Sequence, residues 1–277
     1  MAVTGASGAI GSRVVGLLAA QGTAVTALVR DVWRAHPSAT AASVDYADPP
    51  SLDVALRGID TLVFIGSDGR ADRVLAHHRN VLTAAKGAGV RRIVLLSSQD
   101  AAADSPFCYA PVYADTERDL RGACAEPVVI RAGLYAEFFG RWVLDAARSG
   151  ELALPTTAAV APIGRTNVAQ ALVAAVFSAA ARDLATITGP EAFDVEELAA
   201  LASRLGKPAV RATTITAGEF RHRLIQTGTD PWWSYAFTSM FEAIDQSRFA
   251  AVTTDFTDLT GRVAESFEAV LRREPSE

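Results

Sequence analysis

A chain of 277 residues, half of them hydrophobic, is long enough to bury a sizeable core in one large domain or two small ones. Its 26 Lys and Arg residues against 31 Asp and Glu give a formal net charge of −5, which argues against a nucleic-acid-binding surface. Two cysteines, without a Cys-x-x-Cys pair or a His/Cys cluster, indicate neither a disulfide framework nor a zinc site, so we expect a cytoplasmic protein without a metal.

Short β-branched runs alternate with longer Ala- and Leu-rich stretches from the first residue to about Glu191, a pattern typical of the βα units of a parallel sheet. The predicted strands are Ala2-Thr4, Ala24-Val29, Thr61-Ile65, Arg92-Leu96, Pro127-Ile130 and Ala185-Thr188. The predicted helices are Ile10-Gln21, Pro50-Arg57, Ala71-Ala88, Ala114-Cys124, Phe138-Arg148 and Val168-Ala181. This pattern predicts the α/β class with a doubly wound parallel sheet, whose right-handed crossovers place the carboxyl ends of all strands at one edge.

The alternation weakens after Gly189-Pro190, which predicts a domain of residues 1–190 followed by a smaller, mainly helical lobe of residues 191–277. In this lobe a helical stretch, Val195-Leu205, is followed by Val210-Thr216 and then by an aromatic-rich helical region that begins at Pro231. The aromatic region suggests a cover for a substrate, or core packing between the lobes. We expect no membrane span, because no run of 18 apolar residues occurs, and no signal peptide, because the chain enters a glycine loop almost at once.

The first predicted strand leads into a loop with three glycines, Gly5, Gly8 and Gly11, and the loop opens the first helix. Gly5 permits a tight turn, Gly8 lets backbone N–H groups approach a pyrophosphate, and Gly11 permits close packing of helix and strand. This context predicts a Rossmann-type dinucleotide site, in which the residues against the phosphates are Gly5, Ser7, Gly8, Ala9, Ile10 and Gly11. The alternative is a turn that uses glycines for conformational reasons only.

The tip of the second predicted strand reads Leu28-Val29-Arg30-Asp31, and Arg34 follows closely. An acidic residue at this tip usually binds the ribose 2′-hydroxyl of NAD, whereas an arginine suits the 2′-phosphate of NADP. Arg30 therefore favours NADP(H) over NAD(H) as the cofactor. The alternatives are that Arg30 pairs with Asp31 in solvent, or that Asp31 itself binds the hydroxyl.

The segments TGASGAIGS, VRD, VDYAD, NVLTAAKGAGVRRIVLLSS and VVIRAGLYAEFF occur in this order, and DFTDLTGRVAESFEAVLRR closes the chain. With them the sequence resembles the NmrA-like atypical short-chain dehydrogenases, and among these the quinone-oxidoreductase type, over nearly its whole length. The resemblance implies that Asp45 and Tyr46 flank the adenine and that Gly66 and Ser67 line the cofactor. It also implies that Ser97 lies near the nicotinamide. The equally weighted alternatives are that Asp45 caps the end of a strand, and that Ser97 is a loop residue whose hydroxyl forms its hydrogen bonds within the protein.

An ordinary short-chain dehydrogenase uses a Tyr-x-x-x-Lys pair, in which the ammonium lowers the pKa of the tyrosine for proton transfer. This chain has only two lysines, Lys86 and Lys207, and neither has a tyrosine four residues before it. Tyr113 stands at about the right place, but Glu117 follows it where the lysine belongs, and a carboxylate there is expected to raise the pKa of the phenol. Ser97 and Tyr113 remain the candidates for a catalytic role, with Tyr113 interpreted as a wall of the pocket.

The missing pair disfavours simple ketones, which need a proton donor, and tolerates quinones, whose reduced oxygens are weakly basic and take protons from water. Flat aromatic acceptors also suit the aromatic lobe. The predicted substrate residues are Arg131, Tyr135, Phe138, Trp232, Trp233 and Phe237. Arg131 has a second reading as a structural arginine that ties its loop to a helix end. His77 and His78 are expected to face the cofactor cleft or solvent, and we assign them no catalytic role.

A second hypothesis is that the protein catalyses no reaction. It would then be a regulator of NmrA type that binds NADP(H) and changes its contacts with a protein partner. The absence of a Tyr-x-x-x-Lys pair fits this sensor as well as it fits a quinone reductase. A homodimer is compatible with either reading. The stretch Ala2-Val3-Thr4 before Gly5 is short for a central strand, so we expect either that the sheet tolerates a stub or that the natural protein begins upstream.

Overall fold

The computed structural model describes residues 1–178, 183–206 and 209–273. Its main element is a seven-stranded parallel sheet with the strand order β3-β2-β1-β4-β5-β6-β8, and β7 pairs with β9 in a second, two-stranded parallel sheet. The strands are β1 (Ala2–Val3), β2 (Thr26–Val29), β3 (Thr40–Ser43), β4 (Thr61–Phe64), β5 (Arg92–Ser98), β6 (Glu126–Ala132), β7 (Glu151–Leu154), β8 (Leu184–Ile187) and β9 (Arg211–Thr214). The order reverses between β1 and β4, and this switch point opens a crevice at the carboxyl ends of the strands.

Helices cover both faces of the main sheet and build the smaller lobe. They are α1 (Ala9–Ala20), α2 (Pro49–Ala55), α3 (Ala71–Gly87), α4 (Ala110–Leu120), α5 (Ala136–Ser149), α6 (Arg165–Phe177), α7 (Val195–Leu205), α8 (Ala217–Gln226), α9 (Pro231–Asp245), α10 (Asp255–Thr260) and α11 (Phe267–Leu271), and a 3₁₀ turn spans Val32–Arg34. Helices α1, α6 and α10 pack on one face of the sheet, while α2, α3 and α4 pack on the other.

Alternate residues of the central strands enter different cores, as the period of two in a strand requires. Ala2 and Leu62 belong to the core under α3, whereas their neighbours Val3 and Val63 belong to the core under α1. A third core lies in the smaller lobe. Because both faces of the main sheet are buried, its inner strands read as continuous apolar runs, and this made them recognisable in the sequence.

The packing does not follow a single boundary after residue 190. Helix α5 and strand β7 precede that point but bury their apolar residues in the core of the smaller lobe. Phe256 of α10 comes after it and packs into the core under α1. The lobe also contains the parallel pair β7 and β9, so it is less purely helical than predicted.

Three short strands, β3, β7 and β9, have no counterpart among the predicted strands, because four-residue segments with exposed positions leave no clear apolar run. The predicted helix Ala114-Cys124 begins four residues too late. Pro111 stands in the first turn of α4, where its missing N–H costs nothing, and so the helix starts at Ala110. The predicted helix Val168-Ala181 is observed as α6, and its predicted end lies outside the described residues.

Candidate functional site

The loop between β1 and α1 presents free backbone N–H groups at the switch point of the sheet. Gly5 has a φ of 58°, and the Gly8 N–H donates to the Gly5 carbonyl oxygen at 2.9 Å, which closes the tight turn. Gly8 is the N-cap of α1, no side chain caps this helix, and its first turn has no acidic residue. The positive end of the helix dipole is therefore available to an anion.

The glycines at positions 8 and 11 tolerate different changes. A Cβ atom at Gly11 would overlap the Gly5 carbonyl oxygen and the backbone of Ala6, so α1 reaches the strand only with glycine here. A Cβ atom at Gly8 would lie 3.2 Å from the Gly5 carbonyl oxygen and near no other atom within 4 Å. Gly11 thus serves the packing of the loop, whereas the space beside Gly8 is open.

Tyr46 holds the glycine loop in place, a role that sequence reasoning did not assign to it. The Gly5 N–H donates to the Tyr46 hydroxyl oxygen at 2.7 Å, and the Asn80 side-chain amide donates to the Tyr46 carbonyl oxygen at 2.9 Å. Burial raises the pKa of Tyr46 to about 12, so its hydroxyl stays neutral. Neighbouring Asp45 accepts a hydrogen bond from the Ala47 N–H at 2.9 Å, which is the turn-capping reading of this residue.

Arg30 and Arg34 flank one end of the cleft at the tip of β2. Asp31 does not pair with Arg30; its carboxylate accepts the Trp33 N–H at 3.0 Å and caps the 3₁₀ turn. Within the part of the chain that the structure describes, no ion pair involves Arg30 or Arg34. The guanidinium groups are therefore free to meet an anionic ligand, and a third arginine, Arg73, lines the same cleft.

The cleft at the switch point has a volume of about 700 Å³. Of the predicted cofactor residues, it is lined by Gly5, Ser7, Gly8, Ala9, Ile10, Gly11, Arg30, Asp45, Tyr46, Gly66 and Ser67. Ser97 is not among the lining residues. An uncapped helix start, a loop whose close packing a side chain at Gly11 would break, and arginines at one end fit an elongated anionic ligand such as a dinucleotide.

A second cavity of about 600 Å³ adjoins the cleft and lies between the main sheet and the smaller lobe. Rings cover most of its wall: Phe107, Tyr109, Tyr113, Tyr135, Phe138, Trp233, Phe237 and Phe249. Both the cleft and the cavity are lined by Ser67, Asp68, Tyr113, Tyr135 and Arg165. The two spaces therefore meet at this junction, where a flat ligand in the cavity would face a ligand in the cleft.

The predicted aromatic residues divide between the cavity and its support. Trp233, Phe237 and Met240 of α9 face the cavity, as the spacing of four and three residues on a helix allows. Trp232 is one position off this face and does not line the cavity. Instead it packs edge-on against Tyr109, and the Arg70 guanidinium lies 5.1 Å from the centre of its ring.

Arg131 and Ser97 both donate hydrogen bonds to the carboxylate of Glu117. The Arg131 guanidinium donates to both carboxylate oxygens of Glu117, at 2.8 and 2.6 Å, and to the Ala101 carbonyl oxygen at 3.2 Å. The Ser97 hydroxyl lines the cavity but donates to Glu117 Oε1 at 2.5 Å. These contacts favour the alternative interpretations, Arg131 as a structural arginine and Ser97 as a hydroxyl whose hydrogen bond is satisfied within the protein.

Tyr113 lies at the junction, and no charged side chain in the described part of the chain pairs with its hydroxyl. Its ring packs against the ring of His78, with centroids 5.7 Å apart, and burial raises its pKa to about 12. We expected Glu117 to raise this pKa, but that carboxylate turns towards Arg131 and Ser97, and burial is the cause. The effect on acid-base chemistry is the same, because the phenol stays protonated.

The two adjacent histidines on α3 face different surroundings. His77 lines the cleft, and its Nδ1 lies 2.8 Å from the Ser67 hydroxyl oxygen. His78 is buried, its Nδ1 lies 2.8 Å from the Thr116 hydroxyl oxygen, and its Nε2 is close to Gly66. Among the described residues, no group of three or more His, Cys, Asp or Glu side chains is arranged to hold a metal ion. No helix in that portion of the chain is long and apolar enough to cross a membrane.

The family model described as NAD(P)H-binding matches residues 5–125, which include the glycine loop, the tip of β2 and the junction residues from β4. The sequence is 30% identical over 274 residues to a (4-alkanoyl-5-oxo-2,5-dihydrofuran-3-yl)methyl phosphate reductase of Streptomyces griseus, with 96% of this chain and 94% of the relative covered. It is 28% identical over 243 residues to quinone oxidoreductase 2 of Escherichia coli, with 82% of each chain covered.

Among solved structures, the fold is similar to that of a triphenylmethane reductase of a Citrobacter species complexed with NADP(H). The TM-score is 0.86 at 25% sequence identity, and the match covers 98% of both chains. The agreement therefore extends over the sheet, its helices and the smaller lobe that encloses the second cavity.

Proposed function

This chain belongs to the NmrA-like atypical short-chain dehydrogenases, of the quinone-reductase type, and on that premise we propose that it reduces quinones or similar flat conjugated carbonyls with NADPH as the preferred donor. It is an NAD(P)H-dependent oxidoreductase. The alternative of a regulator that only senses the nucleotide is set aside, because the relatives are named as reductases. What remains to be proposed is the acceptor, the choice of nucleotide and the residues that act.

The single observation that carries the proposal is the junction between the two spaces. A reduced nicotinamide, when bound, supplies a hydride, and the acceptor must lie against it in a site that excludes water. The cleft suits the nucleotide, and the aromatic cavity opens to it along Ser67, Asp68, Tyr113, Tyr135 and Arg165. A planar acceptor stacked on the rings of the cavity would be held with its edge at this junction.

The wall of the cavity favours flat acceptors of low charge. Its charged side chains are Asp68 and Arg165, both at the junction, while Phe138, Trp233 and Phe237 form the wall beyond. The Arg165 guanidinium lies 5.3 Å from the centre of the Tyr135 ring. Quinones and conjugated carbonyls match such a wall, and two of the similar proteins are named as a quinone oxidoreductase and a triphenylmethane reductase.

The test is to follow the oxidation of NADPH with a panel of benzoquinones, naphthoquinones and conjugated enones. Sustained turnover with the flat quinones, and little with aliphatic ketones of equal size, is the expected result. A protein that binds NADPH and turns over none of these acceptors would contradict the proposal. Phe237→Ala serves as the companion variant, because it opens the wall and is expected to raise KM for the quinones without changing the affinity for NADPH.

An Arg30→Ala variant is expected to lose most of the preference for NADPH. A charge-assisted contact to a phosphate contributes roughly 1.5–3 kcal/mol, so the affinity for NADPH should fall about tenfold to a hundredfold while that for NADH stays the same. The measurement is the dissociation constant of each nucleotide from quenching of tryptophan fluorescence. Arg221→Ala, at an exposed site on α8, is the matched control. Equal constants for NADPH and NADH in the unmutated protein would refute the preference.

A Tyr113→Phe variant is expected to reduce quinones within about a few-fold of the normal kcat/KM, because a phenol that burial keeps protonated is a poor acid-base group. An essential general acid contributes roughly a hundredfold to ten-thousandfold, so the two outcomes are well separated. The measurement is kcat/KM with one quinone at saturating NADPH. A thousandfold loss with unchanged nucleotide affinity would restore Tyr113 as the proton donor.

A further inference from the structure

Ser67 and His77 form a hydrogen-bonded pair beside the junction. Ser67, in the loop after β4, lies against His77 of α3, and the hydroxyl oxygen is 2.8 Å from the imidazole Nδ1. The His77 side chain is buried, with 7% of the residue exposed, yet it borders the cleft. Ser67 borders both the cleft and the aromatic cavity. The pair thus runs from the acceptor side of the junction into the cleft.

Three hydroxyl groups line the junction, and Ser67 differs from the other two. Those of Tyr113 and Tyr135 have no hydrogen bond to a titratable side chain among the residues that the structure describes. Burial raises the pKa of both phenols, and no titratable side chain among the described residues lies within hydrogen-bond distance of either hydroxyl to return a proton that it gives up. The hydroxyl of Ser97, deeper in the cavity, donates to Glu117, which is itself paired with Arg131. Ser67 is therefore the junction residue whose hydroxyl is hydrogen-bonded to a histidine, His77.

The surroundings of His77 keep its imidazole neutral at pH 7. Burial is the main cause that lowers the pKa of His77 from its usual value, and the charge of Arg73 on the same helix adds to it. Arg30 from β2 acts in the same direction, while Asp45 after β3 acts in the opposite direction. The ring of Tyr46 meets the imidazole edge-on at 6.0 Å. A neutral imidazole accepts a proton at one nitrogen while it gives one up at the other, as a relay requires.

We propose that Ser67 donates the proton that the reduced acceptor takes up, and that His77 replaces it. As the acceptor oxygen forms its O–H bond, the Ser67 O–H bond breaks, and Ser67 Oγ takes the proton of His77 Nδ1. His77 takes a proton from water at Nε2, the hydroxide left behind is neutralised by the buffer, and proton exchange with solvent returns the imidazole to its Nδ1–H tautomer before the next turnover. The two electrons come with the hydride of the nicotinamide nucleotide, which is oxidised as the acceptor is reduced. Ser67 is the catalytic residue, and His77, which acts through it, is the positioning residue. The inference rests on the proposed function.

The first test uses acceptors that differ in the basicity of the oxygen they carry once reduced, from quinones with weakly basic products to conjugated enones. Ser67→Ala and His77→Gln are expected to lower kcat little for the least basic products and about a hundredfold for the most basic ones. The glutamine keeps a hydrogen-bonding group beside Ser67 but cannot relay a proton. His222→Gln, on the exposed face of α8, is the control for replacing a histidine.

The second test does not depend on turnover. The chain has four histidines, so nitrogen-15 spectra of the imidazoles can be assigned by single substitutions. In the Ser67→Ala variant the Nδ1 signal of His77 is expected to shift, while those of His36 and His222 stay in place. The dissociation constant for NADPH is measured in parallel in Ser67→Ala and His77→Gln, because both residues border the cleft and an effect on nucleotide binding must be separated from one on proton transfer.

The outcomes separate the relay from the reductase itself. If the unmutated protein reduces no acceptor, the proposed function fails and the relay fails with it. If the protein turns over normally but both variants lose the same factor with every acceptor, only the relay is overturned, because a structural defect does not follow product basicity. An unchanged Nδ1 signal for His77 in Ser67→Ala would likewise overturn it.

Discussion

A Gly8→Val variant is expected to lose its affinity for NADPH while it keeps its fold. The Cβ atom has room, since its nearest neighbour is the Gly5 carbonyl oxygen at 3.2 Å. The two methyl groups then occupy the open space before the N-terminus of α1, where the pyrophosphate needs the backbone N–H groups. Loss of two charge-assisted hydrogen bonds corresponds to about 3–6 kcal/mol, so the affinity should fall by more than about a hundredfold.

The measurements are the dissociation constant for NADPH and the midpoint of thermal unfolding without nucleotide. Gly87→Val is the matched control, because its Cβ atom would meet nothing within 4 Å and the site lies at the end of α3. Gly11→Ala completes the comparison: its Cβ atom overlaps the Gly5 backbone, so both the unfolding midpoint and the affinity should drop. Retained binding in Gly8→Val would mean that the loop is only a turn.

The parts of the site that could be predicted from the sequence depend on local rules. The glycine loop needs only a strand, a turn and a helix in succession, and the structure places Gly5, Gly8 and Gly11 in that order between β1 and α1. Arg30 followed from its position at the tip of β2. These features are set by residues close together in the chain, so a pattern is enough to find them.

The parts that were missed depend on contacts between distant segments. The contact of Arg131 with Glu117 depends on where α4 lies, and the predicted start of that helix was four residues late. The pairing of Ser67 with His77 depends on how α3 returns over β4, which spacing alone does not reveal. The face of α9 that lines the cavity, in contrast, could have been predicted from the sequence. If the helix starts at Pro231, its periodicity places Trp233 and Phe237 on one face and Trp232 off that face.

Where a dehydrogenase with the Tyr-x-x-x-Lys pair has its lysine, this chain has Glu117, whose buried carboxylate pairs with the partly exposed guanidinium of Arg131. Glu117 is buried on α4, with its carboxylate held by the guanidinium of Arg131 and the hydroxyl of Ser97. The carboxylate has the opposite charge to a lysine and is neutralised by Arg131, and no lysine among the described residues forms a contact with Tyr113. Neither residue of the pair lines the cavity, and their contacts join β5, β6 and α4.

An Arg131→Met variant is therefore expected to lose stability. Removing Arg131 leaves the buried Glu117 carboxylate without compensation, which costs about 3–5 kcal/mol when both partners are fully buried and less here, because 26% of the Arg131 side chain is exposed. The measurement is the free energy of unfolding from urea titrations at pH 7. Arg118→Met, which removes an exposed ion pair with Asp115 on the same helix, is the control and should change this free energy by less than about 1 kcal/mol.

The double variant Arg131→Met with Glu117→Leu distinguishes a buried charge from a badly fitting methionine. Once the carboxylate is gone, apolar side chains of similar volume fill the site, and most of the lost stability should return. If Arg131→Met instead unfolds like the unmutated protein and raises KM for every acceptor, the arginine binds the substrate. Stability that falls in the single variant and recovers in the double variant, with KM unchanged in the latter, places Arg131 in the scaffold that holds β5, β6 and α4 together.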